Sequence, residues 1–266
     1  MLRATATAPR GPWARLDVVE RTGSTNADLV AAAALGPERT PDRSVLVAEH
    51  QDAGRGRRER TWEARPAEGL TFSLLLRPGV PPARWGWAPL LAGVALVLAL
   101  ESDDVPVALK WPNDLLLGPD QAKGAGILAE MTAGGPGATG PALVVGIGLN
   151  VATPRADLPA GGTSLVAEGV HRARTDVLGD VLAVFASLDG DWRDAGGDAG
   201  AAGLAAAYRE HCATIGRRVR VSLPAGRELV GEAVDVDDEG RLVVRDDAGD
   251  EVTVSAGDVV HVRPGT

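Results

Sequence analysis

Cysteine is almost missing from this chain. Cys212 is the single one among 266 residues, so no internal disulfide can form and a thiolate-rich zinc site is excluded. That lone thiol reads as a small buried hydrophobe. The four histidines, His50, His171, His211 and His261, show no metal-ligand spacing, which also removes an imidazole zinc centre. Basic charge is in deficit, with 27 Lys+Arg against 36 Asp+Glu, a net charge of -9 and a pI near 5.0. A chain with that balance has no broad cationic face to displace counterions, so nucleic acid is not an expected partner. Long apolar runs are lacking too. The longest, Trp87 to Leu100, has 14 residues and is broken by Pro89 and Gly93, too short for a bilayer span and suited to a buried helix. Residues 1–13 have no continuous apolar core, so they read as neither signal peptide nor anchor. No internal repeat or coiled-coil period occurs. What remains is an apolar fraction of 45% with mixed charges, as in an ordinary globular protein. It has one large domain, or one large and one small, and the expected location is the cytoplasm, with no membrane partner.

Against that acidic background stands a basic island, Gly54-Arg55-Gly56-Arg57-Arg58-Glu59-Arg60-Thr61-Trp62, in which four of nine residues are arginine. Guanidinium forks grip carboxylate and phosphate oxygens bidentately, and glycine lets backbone approach a ligand where a Cβ would collide. The same composition also describes a solvated turn, so the neighbouring segments decide. Val45-Leu46-Val47-Ala48 reads as a short buried strand that delivers His50-Gln51 into the loop, and Leu70 to Leu76 reads as a central strand after it. A long unpatterned excursion between two strands of a compact domain is usually functional.

Further polar clusters interrupt apolar elements. Gly23-Ser24-Thr25-Asn26-Ala27-Asp28 precedes the alanine-rich helix Leu29 to Leu35 and its terminating Gly36. Thr25 with Asp28 has capping-box spacing, which makes Thr25 the expected N-cap. The cluster is a helix start, or a row of donors and acceptors offered to a polar ligand. Trp85 to Ser102 reads as a helix covering one sheet face. In Val107 to Leu117 the insertion Lys110-Trp111-Pro112-Asn113-Asp114 divides two apolar strands. Pro112 demands a bend there, while Lys110 and Trp111 at the end of a buried strand call for a ligand or a partner. Lys123 stands at the mouth of a strand with Gly124 and Gly126 beside it. A lone lysine is ordinarily just exposed, but next to an anion site it neutralises charge on a reacting phosphoryl group. Leu143 to Val151 is a strand whose Gly146 and Gly148 permit close approach and whose Asn150 can hydrogen-bond a ligand; its spacing is neither a Walker loop nor a dinucleotide fingerprint.

Farther on, Thr175 to Trp192 and Gly200 to Cys212 read as amphipathic helices. From Arg218 the pattern changes to short alternating strands, Val219 to Leu223, Glu228 to Val236, Arg241 to Arg245, Glu251 to Val254 and Val259 to Val262. Five strands in so short a stretch suit a small barrel, with solvated acidic turns at Asp238-Glu239-Gly240 and Asp247-Ala248-Gly249-Asp250. The domain boundary is placed near residue 214, giving 1–214 and 215–266.

Taken in order, Gly23-Ser24-Thr25-Asn26, Gly54-Arg55-Gly56-Arg57-Arg58 with Trp62, Lys110-Trp111-Pro112-Asn113-Asp114, Lys123 with Gly126-Ile127-Leu128-Ala129-Glu130, and Gly146-Ile147-Gly148-Leu149-Asn150-Val151 resemble the successive motifs of the biotin protein ligase family. The resemblance implies an α/β (α+β) fold, a mixed-sheet catalytic domain followed by a small SH3-like β-barrel. It implies ATP-dependent, AMP-forming ligation, in which biotin becomes biotinyl-5'-AMP and is then passed to the acceptor lysine of a biotin carboxyl carrier domain of an acyl-CoA carboxylase. Lipoate ligation, or a catalytically silent biotin-binding relative, is the alternative. By position, the resemblance assigns biotin to Ser24, Thr25, Asn26, Gln51, Gly54, Arg55, Gly56, Arg57, Lys123 and Gly126. It assigns the nucleotide to Arg55, Arg57, Arg58, Arg60, Trp62, Lys110, Asn113 and Asn150, magnesium (Mg2+) to Asp114, and catalysis to Lys123 with Arg57. Glu59 departs from the small residue usual at its loop position. About twenty residues precede the first motif, too few for a winged helix-turn-helix, so a monofunctional type without DNA binding is expected, as a monomer or weak homodimer.

Overall fold

The computed structural model describes residues 2–57, 60–133, 140–223, 227–255 and 258–262. Its elements run α1 (Leu2–Ala6), β1 (Arg15–Thr22), α2 (Thr25–Ala33), β2 (Ser44–Gln51), β3 (Gly69–Leu76), a 3-10 turn (Pro82–Trp87), α3 (Ala88–Leu100), β4 (Val107–Lys110), β5 (Asp114–Leu117), β6 (Ala122–Thr132) and β7 (Ala142–Asn150). They continue with α4 (Arg174–Asp194), α5 (Leu204–His211), β8 (Arg218–Ser222), β9 (Glu228–Val236), β10 (Leu242–Asp246), β11 (Glu251–Val254) and β12 (Asp258–His261).

Seven strands form one mixed sheet in the order β1-β2-β3-β7-β6-β5-β4. Only β1 and β2 run parallel; the other neighbours are antiparallel. The period of two divides the central strands into two chemically different faces. Val145, Ile147 and Leu149 of β7 and Leu70, Phe72 and Leu74 of β3 join the main core, where α3 and α4 cover them. On the opposite face α2 packs Leu29 and Ala33 over Leu75, Ala142 and Val144. Beyond the N-terminus of α2 that face turns small and polar. Thr71 pairs across to Gly148 and on to Gly126, while Ser73 pairs across to Gly146 and on to Leu128. Thr71, Ser73, Gly126, Gly146 and Gly148 are all small, so the centre of the sheet has room above it.

The apolar segment Pro82–Leu100, long and apolar enough by composition to cross a membrane, is mostly buried inside the molecule. Its residues Leu90, Leu91, Val94 and Leu96 are almost fully enclosed, as a core helix requires.

The remaining strands form an antiparallel sheet ordered β11-β10-β9-β8-β12. It is locked to the larger sheet by indoles. Trp87 Nε1 donates to the Asp238 carbonyl at 2.9 Å and Trp111 Nε1 to the Gly240 carbonyl at 3.1 Å. The acidic side chains of this turn, Asp238 and Glu239, are exposed as expected, while its backbone carbonyls are the acceptors that two buried tryptophans need. The turn at Asp247 to Asp250 is exposed as expected. Trp111, for which a ligand or partner was expected, meets the second sheet.

Candidate active site

A cavity of about 240 Å³ opens over the glycine patch. It is walled by the start of α2, the end of β2, the arginine loop, the β4–β5 turn, the first half of β6 and, from the smaller sheet, Val259 and Val260.

The helix start forms the first wall. Ser24, with an extended backbone, is the N-cap; its Oγ accepts from the Ala27 amide at 3.4 Å. That corrects the expected capping by Thr25, whose side chain is spent on tertiary contacts. The Thr25 amide donates to Gln51 Oε1 at 2.8 Å, and its hydroxyl lies 3.1 Å from that oxygen and 2.7 Å from Ser73 Oγ. Ser73 donates to Asn26 Oδ1 at 2.6 Å. Asn26 Nδ2 donates to the Leu128 carbonyl at 3.1 Å and to Glu130 at 2.9 Å. Asn26 fits only because position 146 is glycine: a Cβ there would lie 2.1 Å from Asn26 Oδ1.

The arginine loop is a narrow antiparallel excursion. The Trp62 amide donates to the Gly54 carbonyl at 2.9 Å and the Gly56 amide to the Arg60 carbonyl at 2.7 Å, with Arg55 bridging Thr61. A Cβ on Gly54 would meet the Trp62 carbonyl oxygen at 2.1 Å and Gln51 Nε2 at 2.8 Å, so this glycine builds the loop's neck. From that neck the Trp62 ring lies over Gly148 and Gly126, where added Cβ atoms would stand 2.3 Å and 3.3 Å from ring atoms. Its indole N–H is buried and has no acceptor among the described residues.

Cations converge around that ring. Lys123 Nζ is 2.6 Å from Asp114 Oδ1 and 5.9 Å from the Trp62 ring centroid. Arg55 pairs with Glu130 at 3.1 Å. Arg57 donates to Asn113 Oδ1 at 3.2 Å, and Asn113 Nδ2 in turn donates to the Ile127 carbonyl at 3.2 Å. Asn113 and Asp114 reach the site because the turn through Pro112 folds β5 back on β4, Lys110 opposite Asp114. The arrangement holds ammonium and guanidinium groups, an amide-rich corner and an indole in one half-enclosed space. Chemically it suits a small ligand with a polar head and a carboxylate tail beside a phosphorylated one.

Of the residues picked from sequence, Ser24, Thr25, Asn26, Gln51, Arg55, Gly56, Arg57, Arg60, Trp62, Lys110, Asn113, Asp114, Lys123 and Gly126 all line this cavity. Gly54 and Asn150 do not; Asn150 is buried at the end of β7, its Nδ2 donating to the Thr163 carbonyl at 2.9 Å. Arg58 and Glu59 lie outside the described residues. Sequence reasoning missed Thr71, Ser73 and Glu130, and the second sheet's Val259 and Val260. The hydroxyls on otherwise apolar β3 were a usable signal, whereas the valines gave none.

Comparison with known proteins follows the same lines. Residues 18–150 match the model of the biotin/lipoate A/B protein ligase family, and residues 214–262 match that of the biotin protein ligase C terminal domain. The chain is 44% identical to a biotin–[acetyl-CoA-carboxylase] ligase of Mycobacterium tuberculosis, over 94% of this chain and 90% of that protein. It is 34% identical to one of Paracoccus denitrificans, over 90% of this chain and 98% of that protein. Among solved structures, the biotin protein ligase of Aquifex aeolicus in complex with biotin and ATP superposes with a TM-score of 0.76 at 24% identity. That match covers 94% of this chain and all (100%) of the other, a likeness of fold.

Proposed function

This chain belongs to the biotin/lipoate A/B protein ligase family, and from that premise we propose how its cavity activates biotin with ATP and delivers it to a protein lysine. The activity is that of an ATP-dependent biotin–protein ligase. The acceptor is the lysine of a biotin carboxyl carrier domain, and residues 1–214 are the catalytic domain with 215–266 the C-terminal barrel. The place of action is the cytoplasm, and the working form is a monomer or weak homodimer.

The observation that carries this assignment is that Lys123, the arginine loop and the amide corner face one cavity of about 240 Å³. Joining a carboxylate to an α-phosphate sets two anions against each other, and the geometry supplies the cancelling charge. Lys123 lines the cavity beside Asp114 and the Trp62 ring, and its ammonium is the charge offered to a ligand carboxylate and an α-phosphate as they meet. Arg55 and Arg57 line the same cavity from the loop and add their charge to it. A single such donor typically stabilises the transition state by about 3–4 kcal/mol. Ser24, Thr25, Asn26 and Gln51 hold the ureido head. Trp62, with its unpaired indole N–H, together with Lys110, Asn113 and Arg60 takes the nucleotide. Gly54 and Asn150 act one step back, the first shaping the loop neck and the second fixing the loop at Thr163. The loop covers the mixed anhydride and keeps water from it.

Among the described residues no cluster of three or more histidine, cysteine, aspartate or glutamate side chains is built for a metal. The cavity offers one carboxylate, Asp114, with the Asn113 amide beside it. That donor set fits a Mg2+ that arrives on the nucleotide, since this ion is usually held by one or two carboxylates plus phosphates and waters. Bound there, it would supply further neutralisation of phosphate charge.

The test is mass spectrometry of a purified carrier domain incubated with this protein, biotin and ATP. The expected result is one biotinyl group on one lysine, dependent on ATP. A carrier that stays unmodified with biotin but gains a lipoyl group when lipoate is supplied would overturn the assignment in favour of lipoate ligation.

A further inference from the structure

Resting on the biotin assignment, the hydrogen bonds behind the amide corner determine more than its shape: they determine which of its atoms donate and which accept. At the far end, the Leu128 carbonyl and the Glu130 carboxylate both face Asn26 at 3.1 and 2.9 Å. Neither can donate, so the Asn26 atom between them is Nδ2, and Oδ1 is turned to Ser73. The Ser73 hydroxyl must then donate to Oδ1, at 2.6 Å. Its remaining capacity toward Thr25, 2.7 Å away, is that of an acceptor, so the single Thr25 hydroxyl proton goes to Ser73 as the nearer of its two acceptors, Gln51 Oε1 lying 3.1 Å away. On the other side the Thr25 backbone N–H, which can only donate, reaches Gln51 at 2.8 Å. That fixes Oε1 inward and leaves Nε2 as the outer end.

We propose that Ser73 is a specificity-determining positioning residue, with Glu130 supporting it by accepting from Asn26. Through the relay Glu130–Asn26–Ser73–Thr25 they turn the Thr25 hydroxyl into an acceptor while Gln51 presents a donor, so the corner recognises a group that carries N–H beside C=O. A cyclic urea matches that pair. A dithiolane, with neither, leaves both unpaired, and desolvating such groups without partners is what makes a polar pocket reject an apolar analogue. Both positions support the relay from buried or half-buried sites; Ser73 is fully enclosed and the Glu130 side chain is 24% exposed. Glu130 also holds Arg55, so one carboxylate ties the head-recognising corner to the loop that covers the tail.

The experiment is pyrophosphate exchange with biotin and with lipoate as alternative acids, measured for the wild type, Ser73→Ala, Ser73→Thr and Glu130→Gln. In Ser73→Ala the Thr25 proton loses its nearer acceptor and is left to Gln51 Oε1, 3.1 Å away, or to the ligand. We expect kcat/KM for biotin to fall about tenfold, a change of about 1.4 kcal/mol. The KM for ATP should be unchanged and activity on lipoate should not fall, so the preference for biotin narrows. Ser73→Thr, which keeps the hydroxyl, should restore it. Glu130→Gln can still accept from Asn26 through its amide oxygen but no longer ion-pairs Arg55; it should keep the biotin preference. Equal losses on biotin and lipoate, a KM for ATP that moves with them, or no change in Ser73→Ala would overturn the relay while leaving the ligase assignment intact. A wild type that activates lipoate and not biotin would overturn both.

Discussion

Replacing Gly148 with alanine puts a methyl group where the Trp62 ring already lies. The added Cβ would stand 2.3 Å from both Cε2 and Nε1 of the indole and 2.8 Å from Cζ2. The ring cannot simply retreat, because the Trp62 amide is bonded to the Gly54 carbonyl at 2.9 Å and position 54 has no spare room beside the Trp62 carbonyl. Either the indole tilts or the loop neck opens. Overpacking of this kind costs about 1–3 kcal/mol. If it falls on the closed, ligand-bound form, kcat/KM for ATP should drop roughly 5- to 150-fold. The expected signature in pyrophosphate exchange is a raised KM for ATP at saturating biotin, with Lys123 also displaced, since its Nζ sits 5.9 Å from the ring centroid. Thermal melting should move by only about 2–4 °C per kcal/mol of strain. Gly23→Ala is the control, because a Cβ at Gly23 meets nothing within 4 Å. An unaltered KM for ATP in Gly148→Ala, or an equal defect in Gly23→Ala, would refute the claim that the glycine row exists to seat the indole.

Two further outcomes follow from the packing. Burial pushes the His261 imidazole down to about 4, with Lys110 and Arg217 adding to the effect, and its Nε2 lies 3.1 Å from Thr214 Oγ1 at the junction of the sheets. The unfolded chain therefore takes up this proton first. Stability should be level above pH 7, decline as pH falls from 6.5 towards 4, and lose on the order of 1–2 kcal/mol after solvent screening; denaturant titrations of His261→Asn should lack that increment, and an identical pH profile would count against it. Asp189, 1% exposed, is held by Arg43 at 2.8 Å and by Arg193 at 2.9 Å, and Arg193 also grips Asp42 at 2.6 Å. Asp189→Ala leaves two half-buried guanidiniums short of a partner, with an expected cost of about 3–5 kcal/mol; a loss below about 1 kcal/mol in urea unfolding would show the network to be dispensable.

The strands with plain hydrophobic patterns were legible from residues alone. Val45 to Ala48 lies inside β2, Leu70 to Leu76 within β3, and all five C-terminal strands start within about one residue of where alternation put them. The helix expected over Trp85 to Ser102 is α3, preceded by a 3-10 turn. The capping residue was misread because sequence spacing cannot show that Gln51 and Ser73 would claim the Thr25 side chain. β1 escaped notice altogether: Arg15–Thr22 is an edge strand with charge on both faces, and its parallel pairing to β2 supplies what its pattern lacks. Most of the site was readable because its chemistry is concentrated in short polar interruptions of apolar strands. The parts of Glu130, Val259 and Val260 were not, since they depend on which strand lies next to which, and on how the second sheet docks through Trp87 and Trp111.

The central claim is that Lys123 and the loop arginines bring a carboxylate and a phosphate together in this cavity. Pyrophosphate exchange by Lys123→Ala with biotin and ATP tests it most directly. The expected result is a loss of about 100- to 1,000-fold in exchange rate with the circular dichroism spectrum and melting temperature of the wild type. Exchange at the wild-type rate would contradict it.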